Sequence, residues 1–211
     1  MPSPSRAPLA LVVSRSNPQV GDAELARGLA AREDWAVAMA WHRFAPMILT
    51  MAERALGSKS DAEDLAQDAF VRLLRKVATL EDSTKLRSFA YSVAVRTLKS
   101  ELRYRKVKSW LSFSGPETLV DLRHSTPDVE GRDLLRKFHT LLDRLSTRDR
   151  LVFLLRRAES MTIQEIATTM DISTSTVKRS LAHASSRLSR WIDGDPALAE
   201  LIDTRLVGSV E

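Results

Sequence analysis

Apolar residues recur along this chain at a helical spacing. In "SDAEDLAQDAFVRLLRKVATL", Leu65, Ala69, Leu73 and Val77 fall four apart, with Ala66, Phe70 and Leu74 beside them. Side chains at that spacing share one face of an α-helix. Further on, Leu134, Leu135, Phe138, Leu141, Leu142 and Leu145 form a second stripe of the same kind. Runs of β-branched residues are rare, and Ala, Leu and Arg are abundant. Both features favour helix over strand.

Punctuation between the stripes sets the expected elements. "DAELARGLAAR" predicts a short helix. "EDWAVAMAWHRFAPMILTMAERALG" predicts a longer one, bent or broken at Pro46 and ended by Gly57. Ser60 followed by Glu63 reads as a capping box opening the next helix. "TKLRSFAYSVAVRTLKSELRYRKVK" closes this group. Later, Ser146 with Asp149 opens "TRDRLVFLLRRAE", Thr162 with Glu165 is another capping box, and Ser173 is a good N-cap. Residues 1–20, with four prolines and no period, predict a disordered extension. Residues 21–109 form one helical domain, and 110–131, with two prolines and two glycines, a linker. Residues 132–192 form a second domain, and 193–211 a tail in which Asp195 and Pro196 would open a short helix. The expected fold is all-α: two small helical domains joined by a flexible linker.

The second domain contains "MTIQEIATTMDISTSTVKRSL", which has the outline of a helix-turn-helix. Ile163, Ile166 and Met170 supply the inner side of its first helix, and small Ala167 lets the second helix approach. Ile172 plugs the corner. Asp171 sits where the turn needs left-handed backbone, which Asp tolerates better than most residues. Val177, Leu181, Ala184, Leu188 and Trp191 give the second helix an inner face. By helical geometry its outer face carries Ser175, Thr176, Arg179, His183, Ser186 and Arg190, with Lys178 at the flank. Helices of this kind place their N-terminal residues at base edges in the major groove. Here most of those residues are hydroxyls, each good base contact being worth about 1–3 kcal/mol. The surface alone predicts weak binding.

Charge adds two further surfaces. The net charge is +5, a modest excess, so its distribution matters more than its total. In the helix closing the first domain, Ser92, Arg96, Lys99, Arg103 and Lys106 face away from Leu86, Phe89, Ala90, Val93 and Thr97. Arg87, Arg105 and Lys108 add charge, Tyr91 lies beside the stripe, and Glu101 is the only acid between Leu86 and Lys108. This suits the phosphates and exposed bases of melted DNA. By contrast, Asp61, Glu63, Asp64 and Asp68 crowd the start of the preceding helix, around Gln67. The helix dipole favours carboxylates there, and DNA would be repelled. Such a patch suits a basic protein partner.

Other chemistries are excluded. The chain has no cysteine, which rules out disulfides and thiolate metal sites and fits a reducing cytoplasm. "PLALVV" is too short for a membrane span. No nucleophile–base pairing or phosphate-binding glycine loop is present, and the four histidines are scattered. The reading is a non-enzymatic cytoplasmic protein that needs no cofactor or metal and does not insert into a membrane.

Taken in order, "DAEDLAQDAFVRLL", "LRSFAYSVAVRTLKSELRYRK" and "LLDRLSTRDRLVFLLRRAESMTIQEIATTMDISTSTVKRSL" resemble the extracytoplasmic-function group of bacterial RNA polymerase sigma factors. The resemblance implies that Asp61, Glu63, Asp64, Gln67 and Asp68 dock on the clamp helices of the polymerase's largest subunit. It implies a region 2-like domain at 21–109 that reads and melts the minus-ten element. Lys85, Arg87, Ser88, Tyr91, Ser92, Arg96, Lys99, Arg103 and Lys106 would contact that DNA. The loop "ATLEDSTKLRS" would capture a flipped base. It further implies a region 4-like domain at 132–192 that meets the polymerase flap. That domain would read the minus-thirty-five element through Thr174, Ser175, Thr176, Lys178, Arg179, His183 and Ser186. An anti-sigma factor is an expected partner. Phe89 stands where the family usually has Trp, and Arg179 lies one place earlier than the family's usual arginine. The rival reading is a stand-alone helix-turn-helix repressor or activator, for which the acidic helix would have no use.

Overall fold

A computed structural model describes residues 20–111 and 129–192. Among these residues the chain forms eight α-helices and two short 3-10 turns. They are α1 (Asp22–Ala30), α2 (Asp34–Leu56), α3 (Lys59–Lys76), α4 (Leu86–Leu111), α5 (Val129–Asp143), α6 (Thr147–Arg157), α7 (Ile163–Met170) and α8 (Thr174–Ile192). The 3-10 turns, Val77–Thr79 and Ser83–Lys85, lie in the loop before α4. The fold class read from the sequence is the one observed.

Several boundaries differ from expectation. Of the two expected effects of Pro46, breaking does not occur: it lies inside α2 and does not end it. Only the carbonyl one turn back loses its helical partner, while Ala40, Phe44, Ile48, Met51 and Ala55 are buried on both sides of the proline. The N-cap of α3 is Ser58, whose hydroxyl accepts from the Asp61 N–H at 3.3 Å, and Ser60 falls inside the helix. Gly57 ends α2 in left-handed backbone (φ 68°), and Ser58 is extended. The chain therefore turns into α3 two residues ahead of the expected cap. Val20 is buried and its carbonyl accepts from Arg43, so it belongs to the folded part and not to the extension. Helix α4 continues to Leu111 and α5 begins at Val129, taking residues from both ends of the expected linker. The rest of the extension, linker and tail lies outside the described residues.

The predicted caps around the helix-turn-helix are present. Thr162 and Glu165 form a reciprocal capping box, Ser146 caps α6, and the Ser173 hydroxyl accepts from the Thr176 N–H at 3.2 Å. Asp171 takes the left-handed turn position at φ 55°.

Small side chains govern how the helices meet. Ala52, Ala55, Ala62, Ala66 and Ala69 are essentially inaccessible, which lets α2 and α3 pack closely. Helix α4 packs on α2 and α3 and also on α6 and α7. This explains why Val95 and Leu102 are buried although they point well away from Leu86 on the helix. Polar links reinforce the joint between the two groups of helices. Arg54 donates to the Ala158 carbonyl at 2.7 Å and pairs with Glu159 at 2.8 Å. The buried Arg150 guanidinium reaches the Ala55 carbonyl at the end of α2 and pairs with Asp143. Lys106 donates to the Leu145 carbonyl at 3.2 Å. His139 is buried against Gly57; burial, and then the charge of Arg150, push its pKa down to about 4.

Candidate functional site

The acidic surface sits at the start of α3. Glu63, Asp64, Gln67 and Asp68 are exposed there, because the opposite face of α3 carries the buried Ala62, Leu65, Ala66 and Ala69. The carboxylates are not equivalent. Asp68 accepts from Arg72 Nε with both oxygens at 3.0 Å. Asp61 is half-buried and pairs with Arg105 of α4 at 2.9 Å, and Arg105 also binds Glu101 at 2.7 Å. Burial works against the charge on Arg105, but the two carboxylates outweigh it and raise its pKa. A groove of about 410 Å³ runs between α3 and α4, lined by Asp61, Asp64, Asp68, Glu101 and Tyr104 among others. Arg72 and Arg105 also line it, paired with Asp68 and with Asp61 and Glu101, and Tyr104 gives it an exposed aromatic edge.

The basic stripe of α4 begins at the loop before it. Asp82 caps the 3-10 turn by accepting from the Thr84 N–H at 3.0 Å, and Lys85 pairs with Asp82 at 3.2 Å. Hydrogen bonds from Thr84 and then Lys85 hold the Asp82 carboxyl below its usual range. The Arg87 N–H, an otherwise orphan donor at the start of α4, donates to Asp22 of α1 at 3.1 Å. Asp22 also binds Arg43 at 3.1 Å. Arg87, Ser88, Arg96, Arg103 and Lys106 are exposed, whereas Tyr91, Ser92 and Lys99 are half-buried. Ser92 and Lys99 flank the side of α4 that carries Val95 and Leu102.

Helix α8 turns Thr174, Ser175, Lys178, Arg179, His183 and Ser186 to solvent, while Val177, Ala184 and Leu188 are buried. Thr176 is half-buried, with its hydroxyl 2.9 Å from that of Ser173. It is thus partly engaged in the cap that starts the helix. His183 Nδ1 lies 2.9 Å from the Asp149 carboxylate on α6, and Arg148 Nε donates to Ser180 at 3.1 Å.

The three predicted surfaces thus sit on three helices. Sequence reasoning missed the residues that hold them: Asp22 and Asp82 at the start of α4, Arg105 beside Asp61, and Asp149 behind His183. Only the Asp82–Thr84 and Asp82–Lys85 contacts left a local signal, an Asp just ahead of a helix start.

A family model for Sigma-70 region 2 matches residues 40–107, and one for Sigma-70, region 4, matches residues 135–188. RNA polymerase sigma-E factor of Streptomyces coelicolor is 30% identical over 141 residues, covering 67% of this chain and 77% of that protein. The chain belongs to the extracytoplasmic-function group of RNA polymerase sigma factors. The ferric citrate uptake sigma factor FecI of Escherichia coli is 31% identical over 140 residues, with 62% and 76% covered. Among solved structures, CnrH in complex with the cytosolic domain of CnrY shares the fold, with a TM-score of 0.59 over 82% of this chain and 98% of that one at 22% identity.

In this sigma factor the region 2 match takes in most of α2, with all of α3 and most of α4. The region 4 match takes in most of α5, with α6, α7 and most of α8. Among the described residues no helix is long and apolar enough to cross a membrane, and no cluster of side chains is arranged to hold a metal ion.

Proposed function

We propose that this sigma factor directs core RNA polymerase to promoters through three surfaces with separate tasks. Glu63, Asp64, Gln67 and Asp68, with Asp61 at the border, dock on basic clamp helices of the polymerase's largest subunit. Residues 21–109 read and open the minus-ten element through Lys85, Arg87, Ser88, Tyr91, Ser92, Arg96, Lys99, Arg103 and Lys106. Residues 132–192 lie at the flap and read the minus-thirty-five element through Thr174, Ser175, Thr176, Lys178, Arg179, His183 and Ser186. Residues 110–131 connect the two readers. The protein works in the cytoplasm, where the polymerase is, and has no catalytic role of its own. An anti-sigma factor would hold it inactive by covering these faces.

The observation that carries this reading is the exposed acidic face of α3 lying directly beside the basic helix α4. A DNA reader acting alone has no use for a surface that repels DNA. A factor that must join a protein and a nucleic acid needs both. Helices α6 and α7 pack on α4, and Ser92 and Lys99 of α4 are half-buried. Full exposure of the basic stripe would follow if the second group of helices moved off α4. Two weak readers on one polymerase then gain from a high effective concentration.

The test is transcription in vitro with purified core polymerase on genomic fragments, followed by start-site mapping. Discrete, sigma-dependent starts are expected. Asp64→Lys with Asp68→Lys should weaken core binding at least tenfold, since like charges then face the clamp. Tight, salt-sensitive promoter binding by the chain alone, with core affinity untouched by the charge reversal, would instead mark a stand-alone regulator.

A further inference from the structure

The contact behind the recognition helix is unusual in its parts. Asp149 is only 4% exposed, yet it is a carboxylate, and burying one is costly unless its oxygens are bonded. Here they are. Burial drives its pKa up, but bonds with His183, Ser146 and Ser180 outweigh that and keep the carboxyl below its usual range. Ser180 is itself 2% exposed and accepts from Arg148. The link from α6 to α8 is therefore a built one, anchored on buried groups at both helices.

His183 differs from the other members of this link. Its side chain is 51% exposed. With Nδ1 held by a carboxylate acceptor, that nitrogen carries a proton and the ring orientation is set. Nε2 is left for an outside partner on the same face as Arg179 and Ser186. The position along the helix identifies that partner. His183 lies nine residues beyond Thr174, the first residue of α8, or about 14 Å along the axis. The major groove is only about 12 Å wide. With the N-terminus of α8 at the base edges, His183 has passed beyond the bases and meets the sugar–phosphate wall. The exposed neighbours Arg148, Arg179 and Arg187 make the surroundings favourable to an anion.

We propose that Asp149 is a positioning residue for promoter binding: from α6 it orients the His183 imidazole so that Nε2–H donates to a backbone phosphate of the upstream element. In that contact the ring takes up a proton from solvent at Nε2, and both ring nitrogens are donors, one to the carboxylate and one to the phosphate. The inference rests on the assignment of α8 as the upstream reader and adds to it a residue on another helix that never touches DNA.

The test uses holoenzyme assembled from the full chain and core polymerase. The probe is the upstream duplex of a promoter mapped by run-off transcription, with binding measured at several KCl concentrations. His183→Gln, an exposed substitution that leaves the core untouched, should lower affinity about fivefold to tenfold. It should also reduce the slope of log affinity against log salt by about 0.9, the value for one phosphate contact. Asp149→Asn should lower affinity in the presence of His183 and have no further effect beside His183→Gln. Asp149→Asn should leave core-polymerase binding unchanged, and His183→Arg should restore the slope even beside Asp149→Asn. An unchanged slope in His183→Gln overturns the proposal. So does an equal effect of Asp149→Asn with and without His183, because Asp149 would then act only through folding. If wild-type holoenzyme does not prefer the mapped duplex to a scrambled one, the assignment of α8 itself fails and the positioning role falls with it.

Discussion

Gly57 is where the two groups of helices can be tested against each other. It has φ 68°, and a Cβ added there would lie 2.9 Å from His139 Nδ1 and 3.0 Å from its Cγ. Gly57→Ala therefore has two separable costs. The left-handed backbone disfavours an L side chain by about 1–2 kcal/mol, a cost local to the end of α2. Overlap with the buried imidazole of α5 adds about 1–3 kcal/mol, the usual range for overpacking a filled site. The second cost exists only if α5 is seated against α2. Urea unfolding followed by circular dichroism, on Gly57→Ala, His139→Ala and the double variant, isolates it. Gly57→Ala should cost about 2–5 kcal/mol in the parent chain. It should cost only about 1–2 kcal/mol once His139 is gone. Solution scattering should show Gly57→Ala to be more extended than the parent. A coupling smaller than about 0.5 kcal/mol would mean that the two sites are independent. The seat between the helix groups would then be refuted.

The same joint should respond to acid. The pKa of His139, pushed down to about 4 from 6.5 by burial and then by Arg150, means the fold holds the neutral form. Its stabilisation is complete above pH 6.5 and is lost as pH falls through the window down to about 4, by at most about 3.5 kcal/mol. His139→Phe should flatten that loss in urea midpoints measured at pH 7 and 4.5, and an unchanged pH dependence would count against it. Asp171, at φ 55° in the helix-turn-helix corner, should yield about 1 kcal/mol of added stability when changed to Gly, read from the thermal midpoint. Asp22→Ala removes the acceptor for the Arg87 N–H and the partner of Arg43. It should cost about 1–2 kcal/mol and speed amide exchange in the first turn of α4; unchanged protection there would show that α1 does not anchor the basic helix.

Much of this protein was legible in its sequence because the information is local. The stripe Leu65, Ala69, Leu73 and Val77 names the buried face of α3 and of the 3-10 turn that follows it, and all four are buried. Its solvent face, with Glu63, Asp64, Gln67 and Asp68, follows from the same period. The Thr162–Glu165 box and the Asp171 corner are each settled within one turn of backbone. Where local signals competed, the reading erred. Ser58 and Ser60 are both good caps, and only the left-handed exit of Gly57 decides between them. Pro46 left a bent or a broken helix open, and burial of α2 on both sides of it outweighs one lost hydrogen bond, so the helix continues.

The sequence by itself determined the helices, their inward faces and the sign of charge on each outward face. Those properties depend on residues three or four apart, which the helix brings together whatever else the chain does. The tertiary structure alone decided which faces meet. It pairs Asp61 with Arg105, sets Asp149 behind His183 and closes Arg150 onto the Ala55 carbonyl. It also buries Val95 and Leu102 on a side of α4 that its own pattern leaves ambiguous. Each of these depends on where one helix crosses another, and that position is set by the packing of all the small and large side chains at the crossing, not by any single helix's period.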